Sequence, residues 1–226
     1  RFFERGRTYT KEGERMVERE TLGLVITGRR ERESWRSTTE KVDLFDLKEE
    51  LEVLMERLGL TSLVHWEPLG HALLEQACTV LVKGREVGTI GAVRKSALKA
   101  ADVNQPVLFA ELDEQALLDA CRAQAVGFTE VPRFPSVRRD LSLLLEQGVR
   151  FEQLRKLAFN AERKLLREVD LFDVYQGDKL PAGKKSYALS FMLQDAEKTL
   201  TDDQVDKAMG RIRQAFEKEV GAELRG

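Results

Sequence analysis

The chain has 226 residues, of which 42% are hydrophobic and 34% are charged, so it can bury the cores of two domains of ordinary size. Its formal net charge of −2 excludes a generally basic coat of the kind that binds nucleic acid without specificity. Residues 132–226 hold 18 Lys and Arg against 16 Asp and Glu, so any RNA contact there must come from a local patch.

The first 131 residues are predicted to form a largely antiparallel sheet with helices packed on it. Apolar residues recur at helical spacing from Asp43, which can cap a helix, to Leu58, and Gly59 follows as a helix stop. A second helix is predicted after Asp113. Strands are predicted over residues 1–9, 22–27, 77–82, 86–93 and 106–112. The charged residues 10–20 are predicted to be a loop or hairpin turn, and residues 29–41 a solvated loop.

A linker is predicted at Val131-Pro132-Arg133-Phe134-Pro135, because two prolines favour extended backbone, and a domain boundary is placed between residues 131 and 132. The pattern then restarts as strand, helix, strand, strand, helix, strand, which is the ferredoxin-like order. These strands are predicted over 140–145, 169–175, 186–193 and 221–224. The helices are predicted over 151–166 and from a capping box at Thr201 to about Glu219. The chain is therefore predicted to be α+β, with domains at 1–131 and 132–226.

The sequence offers little for catalysis or metal binding. Its two histidines, His65 and His71, have no cysteine or carboxylate at ligand spacing, and no phosphate-binding glycine motif or nucleophile elbow occurs. We therefore predict no catalytic residue, no metal ligand and no cofactor bound by the chain. Acylphosphatase-like hydrolases share the predicted second-domain topology, but residues 144–150 offer one glycine and one arginine beside Glu146, which is a poor anion cradle.

Cys78 and Cys121 lie in apolar stretches without paired spacing, and we expect two reduced core thiols. No signal peptide opens the chain and no apolar run reaches the length of a membrane span, so a cytoplasmic location without a membrane partner is expected. The chain starts at Arg1 inside a predicted strand, and we expect it to be a fragment of a larger subunit.

Asp173 and Tyr175 are two residues apart on a predicted strand, so their side chains share a face. By the same alternation Leu171 is expected on that face, and Phe172 and Val174 in the core. An exposed tyrosine offers a flat surface for a stacked base, worth about 1–3 kcal/mol. A carboxylate can accept from the edge of a base but repels phosphate.

A further polar group and positive charge are expected beside this pair. Ser186 begins the neighbouring strand, and Lys184 and Lys185 precede it. Together the five residues could stack a base, read its edge and hold its phosphate. The residue types alone also allow a structural interpretation, in which Asp173 is solvated and Tyr175 is half-buried at a strand end, or in which the strand end is buried in a protein interface.

An ordered series of short motifs runs through the second domain. It comprises Phe134-Pro135, Arg138-Arg139-Asp140, Phe172-Asp173-Val174-Tyr175-Gln176-Gly177, Lys184-Lys185-Ser186, Thr199-Leu200-Thr201-Asp202 and Leu224-Arg225. In this order the motifs resemble the C-terminal, ferredoxin-like anticodon-binding domain of the β-subunit family of bacterial phenylalanyl-tRNA synthetases.

Residues 1–131 resemble, more weakly, the catalytic-like module of the same family. The resemblance rests on Phe3-Glu4-Arg5-Gly6-Arg7, on residues 22–28 and on Asp43-Leu44-Phe45-Asp46-Leu47-Lys48. It implies an antiparallel, class II synthetase-like module without the catalytic signature residues. The chain departs from the family pattern at His71-Ala72-Leu73-Leu74, where the family often has His-Pro-Gly-Arg, and at Arg94-Lys95-Ser96, where it often has Gly-x-x-His-Pro.

The resemblance implies that the chain is non-catalytic itself and binds the anticodon stem-loop of the phenylalanine tRNA. In the family, the tyrosine matching Tyr175 stacks on an anticodon base, and the residues matching Asp173 and Ser186 lie at base-contact distance. Four further contacts are expected from their proximity to the motifs: Ser142, Arg138, Arg139 and Arg225. The implied parent is an (αβ)2 phenylalanine–tRNA ligase whose catalytic α subunit uses ATP and magnesium.

Overall fold

A computed structural model describes residues 1–36, 40–124 and 132–225 of the chain. The chain divides into two compact units, Arg1–Gly127 and Phe128–Gly226. The predicted linker begins at Val131, outside the described residues, so the boundary between residues 131 and 132 stays a prediction. Within the described ranges, no helix combines the length and the apolar character needed to span a membrane.

The first unit is built on one six-stranded sheet. Its strands are β1 (Phe2–Glu12), β2 (Arg15–Thr27), β3 (Val64–Pro68), β4 (Leu74–Val82), β5 (Arg85–Val93) and β6 (Val107–Asp113). Their order across the sheet is β1-β2-β6-β5-β4-β3, and each neighbouring pair is antiparallel. The predicted antiparallel architecture is therefore confirmed.

The prediction of a loop or hairpin turn over residues 10–20 is wrong for most of that stretch, which belongs to the long ladder of β1 and β2. Thr10 lies opposite Val17, and the chain reverses at Gly13, whose φ of +64° suits glycine. Cross-strand ion pairs such as Arg7–Glu18 accompany the pairing of these polar strands. The charged composition of this stretch therefore led to a wrong prediction. The turn at Gly13 and the pairing of β1 with β2 determine the strands instead.

The described part of the first unit has three α-helices, α1 (Leu44–Arg57), α2 (Lys95–Ala100) and α3 (Glu114–Arg122), and a short 3-10 helix at Thr61–Leu63. Asp43 caps α1 as predicted, since its carboxylate accepts from the N–H of Phe45 at 2.8 Å while the Asp46 side chain closes a capping box. Asp113 likewise caps α3. The short α2 has no capping side chain, and neither it nor the five-residue β3 was predicted. The core under α1 includes Leu47, Leu51, Met55, Val80, Ile90 and Leu112.

The two segments in which the chain departs from the family pattern contact each other. The Arg94 guanidinium donates to the backbone carbonyl of His71 at 3.1 Å, and the Arg94 N–H donates to the carbonyl of Leu73 at 2.8 Å. The imidazole Nδ1 of His71 accepts from the N–H of Leu74. The departures therefore form one local structure that joins the start of β4 to the end of β5.

The second unit has the predicted ferredoxin-like topology. Its strands are β7 (Val137–Glu146), β8 (Leu166–Tyr175), β9 (Lys184–Leu193) and β10 (Glu223–Leu224), and its helices are α4 (Phe151–Ala161) and α5 (Asp202–Val220). Along the chain they run β7-α4-β8-β9-α5-β10. Across the sheet the order is β10-β7-β9-β8, again antiparallel throughout.

The helix boundaries of the second unit follow from specific side chains. The capping box predicted at Thr201 is present at the start of α5. Helix α4 ends at Ala161, five residues before the predicted end, because the buried Glu162 carboxylate accepts from the N–H groups of Lys164 and Leu165 and turns the chain. As a result β8 begins three residues earlier than predicted.

Both helices lie on one face of the second sheet. Leu143, Leu189 and Phe191 point to this side and are buried with Phe216 of α5, whose ring centroid lies 6.2 Å from that of Phe191. The alternate side chains of β7 and β9 point the other way. We call the side of the sheet opposite α4 and α5 the outer face.

Candidate nucleic-acid interface

The sheet register brings four of the predicted RNA-contacting residues together on the outer face. Tyr175 on β8 lies opposite Ser186 on β9. Asp173 lies opposite Ala188, which in turn lies opposite Ser142 on β7. Because directly opposed residues of a ladder point to the same side, Asp173, Tyr175, Ser186 and Ser142 form one patch, which we call the recognition patch.

Arg225 extends the recognition patch past the end of β10. Its N–H donates to the carbonyl of Ser142 at 2.9 Å and so continues the ladder. Glu223, two residues earlier, binds Lys184 of the outer face, so alternation places Arg225 on that face as well. Its side chain is exposed, and no described residue pairs with the guanidinium.

Tyr175 presents a partly exposed ring that is held at one end by a turn. Its side chain is 36% exposed, and Ser186 beside it is buried. A Cβ placed on Gly177 would lie 2.8 Å from the Tyr175 hydroxyl, so the ring rests against this glycine. Asp173 is exposed, and within the described ranges neither its carboxylate nor the Tyr175 hydroxyl has a hydrogen-bond partner. Both groups are therefore available to a ligand.

A β-bulge changes the faces predicted for the neighbours of Asp173. The register of β8 against β9 shifts between Leu171 and Asp173, so Phe172 is an extra residue in the strand. Leu171 packs against the core instead of sharing the face of Asp173, and Phe172 is 50% exposed instead of buried. Val174 points to the helix side but is 48% exposed, so the predicted core positions of Phe172 and Val174 are both wrong.

The displaced Phe172 contacts a residue of the outer face. The guanidinium carbon of Arg138 lies 5.3 Å from the centroid of the Phe172 ring. Alternation assigned this aromatic residue to the core, and the sequence carries no separate signal of the bulge. Phe172 is therefore a functional candidate that sequence reasoning missed.

Lys185 is not part of the outer face, contrary to the prediction. It is neighbour to Ser186 on one strand, so it must point to the opposite side. Its side chain is buried, and its ammonium donates to the Tyr187 hydroxyl at 2.8 Å and lies 4.4 Å from the centroid of that ring. Strict alternation along β9 could have shown this from the sequence.

Two other predicted cations are neutralised by nearby carboxylates. The Nζ of Lys184 lies 2.8 Å from Glu223 and 3.3 Å from Glu146, and these hydrogen bonds raise the pKa of Lys184. Arg138 pairs with Asp140 at 2.9 Å, which raises the pKa of the guanidinium. Their charges are therefore largely compensated on the surface.

Arg139 also lies away from the recognition patch, contrary to the prediction. It lies opposite the buried Phe191, so it points to the helix side, where its guanidinium is 3.4 Å from Asp202. Of the predicted cations, Arg225 then remains as the one on the outer face with no carboxylate partner among the described residues. Such a nearly neutral surface suits contacts with base edges better than a grip on phosphates.

The loop considered as a hydrolase anion cradle uses its N–H groups internally. The N–H groups of Gln147, Val149 and Arg150 each donate to an oxygen atom of the chain itself. They do not converge on a free site, so the loop gives no support to phosphate hydrolysis.

Comparison with known proteins finds matches in both units. Residues 1–114 match the family described as phenylalanyl tRNA synthetase beta chain CLM domain, and residues 132–225 match the ferredoxin-fold anticodon binding domain. The chain is 44% identical over 207 residues to the phenylalanine–tRNA ligase beta subunit of Bacteroides fragilis. It is 41% identical over 211 residues to that of Porphyromonas gingivalis and 35% identical over 228 residues to that of Geobacillus kaustophilus.

These alignments cover 90%, 92% and 99% of this chain, but 25%, 26% and 28% of the respective relatives. The chain therefore spans about a quarter of the length of the curated relatives it matches.

Proposed function

The chain belongs to the phenylalanine–tRNA ligase β-subunit family, and from this premise we propose that its second unit binds the anticodon stem-loop of the phenylalanine tRNA on the outer face. The observation that carries the proposal is the recognition patch, which unites the exposed Tyr175 ring with the unpaired carboxylate of Asp173. The match of residues 132–225 to an anticodon-binding domain supports RNA as the ligand.

Each group of the recognition patch has a distinct chemical task in this proposal. The Tyr175 ring stacks on an unpaired base of the loop. The Asp173 carboxylate accepts from an amino or imino group of a base, and the exposed hydroxyl of Ser142 can donate or accept. Ser186 is buried and so offers less surface to a base than Ser142 does. Arg225 holds a backbone phosphate.

The charge balance predicts how binding responds to salt. Arg225 is the one predicted outer-face contact whose charge has no carboxylate partner among the described residues, and it would neutralise about one phosphate. The slope of log K against log salt is about −0.7 for each phosphate of a single strand. Binding to the loop should therefore weaken only gently with salt, which is typical of base contacts.

For the complete subunit we propose support of a catalytic α subunit in an (αβ)2 ligase that uses ATP and magnesium in the cytoplasm. By holding the anticodon end, the chain would keep the acceptor end of the tRNA in register with the active site. The edge strand β1 exposes Phe2 and Phe3, and exposed apolar residues of this kind support a protein partner for the first unit. We assign no catalytic residue to the chain.

A salt-dependent titration tests the proposal. The chain is titrated with a fluorescently labelled phenylalanine anticodon stem-loop and with the same stem carrying a scrambled anticodon, between about 50 and 200 mM salt. Tighter binding of the cognate loop at every salt concentration is expected. Equal and steeply salt-dependent binding of both loops would contradict base recognition and would indicate a non-specific contact with the RNA backbone.

A further inference from the structure

We propose that the bulge in β8 creates a second base-binding platform, in which Phe172, backed by Arg138, stacks on another nucleotide of the loop that Tyr175 contacts. The inference rests on the proposed function of the outer face and adds a position that alternation along the strand would not supply. The ligand is an unpaired nucleotide of single-stranded RNA.

The register identifies what the bulge adds to the surface. Without Phe172, Leu171 would precede Asp173 directly, and regular alternation would still send Leu171 to the core and Asp173 and Tyr175 to the outer face. The extra residue is therefore not needed to position the recognition patch. Its effect is to place one more aromatic side chain beside Asp173.

The surroundings of Phe172 suit a stacking role. Half of the side chain is exposed, and Arg138 lies over its ring. Arg138 is itself held by Asp140 at 2.9 Å, which fixes the guanidinium beside the ring. Aromatic rings and arginine planes are the surfaces on which proteins stack unpaired RNA bases.

The separation of the Phe172 and Tyr175 rings along β8 indicates that they engage different nucleotides. Because Phe172 is the extra residue of the bulge, it precedes Tyr175 by two to three ladder positions, about 7–10 Å along the strand. Two bases stacked directly on each other are about 3.4 Å apart. The two rings therefore engage two different bases that are not stacked on each other, and Asp173 lies between the rings along the strand.

Substitutions in β8 test the proposal on the complete chain. Phe172→Ala should weaken binding of the cognate stem-loop about 10-fold, or about 1.4 kcal/mol. Phe172→Leu should lose nearly as much, because it keeps an apolar side chain without a π surface. Val174→Ala is the matched control, since Val174 is similarly exposed on the same strand but points to the helix side. Its affinity should match that of the parent chain.

Stem-loops with a single abasic position identify the nucleotide. The loss of affinity caused by one abasic site should be absent in Phe172→Ala, and the loss caused by a different abasic site should be absent in Tyr175→Ala. Deleting Phe172 should leave a folded chain that retains the contribution of Tyr175 and behaves like Phe172→Ala.

The outcomes separate this inference from the proposed function. If Tyr175→Ala weakens binding while Phe172→Ala does not, the second platform is refuted and the recognition patch stands. If Phe172→Leu binds as tightly as the parent chain, the contact is apolar and the stacking claim fails. If neither Phe172→Ala nor Tyr175→Ala changes the affinity, both proposals are overturned.

Discussion

The ring of Tyr175 lies so close to Gly177 that a Cβ at residue 177 would come within 2.9 Å of the ring carbon Cζ and 2.8 Å of the hydroxyl. Gly177 has no positive φ that would require glycine for backbone reasons. The absence of a side chain there instead leaves room for the ring, and the turn after β8 sets where the ring can lie.

Gly177→Ala should therefore displace the Tyr175 ring and weaken stem-loop binding, with little change in the free energy of unfolding. The methyl group would meet the far end of a surface side chain rather than the core. Binding and thermal unfolding would be measured together. Gly148→Ala is the control, because a Cβ there meets nothing within 4 Å. Unchanged affinity of Gly177→Ala would show that ring placement does not limit binding.

Tyr175→Ala should cost about 1–3 kcal/mol of stem-loop binding, the range for loss of one base-stacking aromatic. Tyr175→Phe should cost much less, because the π surface remains and only the hydroxyl is lost. Affinities from fluorescence titration at fixed salt would give both values. Indistinguishable affinities for the parent and both variants would contradict a stacking role for Tyr175.

Arg225→Ala should weaken binding of all stem-loops about equally and reduce the magnitude of the salt slope by about 0.7, the value for one phosphate contact. Lys185→Met is the informative comparison. Because Lys185 is buried on the helix side, its replacement should leave the salt slope unchanged. The slopes come from titrations at several salt concentrations. A reduced slope in Lys185→Met would mean that the face assigned to this lysine is wrong.

Glu162→Gln should lower the free energy of unfolding by about 1–3 kcal/mol at neutral pH, because a buried hydrogen-bonding carboxylate loses its charge. Burial alone would raise the pKa of Glu162, but hydrogen bonds from Arg211 and from the N–H groups of Leu165 and Lys164 outweigh burial and hold this pKa below its ordinary value.

The pH dependence follows from that direction. A depressed pKa in the folded state stabilises the fold above the pKa of the unfolded state, and the stabilisation is lost as the pH falls through the folded pKa. The stability difference between the parent and Glu162→Gln should thus narrow from neutral pH to about pH 3. Thermal unfolding at neutral pH and at about pH 3 measures this stability difference. Glu217→Gln is the control, because Glu217 is exposed. A constant difference would show that the pKa of Glu162 is the same in the folded and the unfolded chain.

Most of the second unit could be predicted because local signals and tertiary structure agree. The capping box at Thr201 marks the start of α5, and alternation along β9 places Leu189 and Phe191 in the core. The bulge could not be predicted, because it arises from the register of β8 against β9 and moves Phe172 without any turn residue to mark it. The early end of α4 depends on a tertiary partner, since Arg211 pairs with Glu162 from another helix.

The local pairing of Lys184 and Arg138 with carboxylates has a kinetic consequence for the outer face. With little net field, the surface cannot steer RNA from a distance, so association should proceed at the unsteered rate of about 10⁵–10⁶ M⁻¹s⁻¹. Cognate and non-cognate loops then arrive equally often. Under the proposed function, discrimination between them lies in residence time, because the loop whose bases fit the aromatic and carboxylate groups should dissociate more slowly.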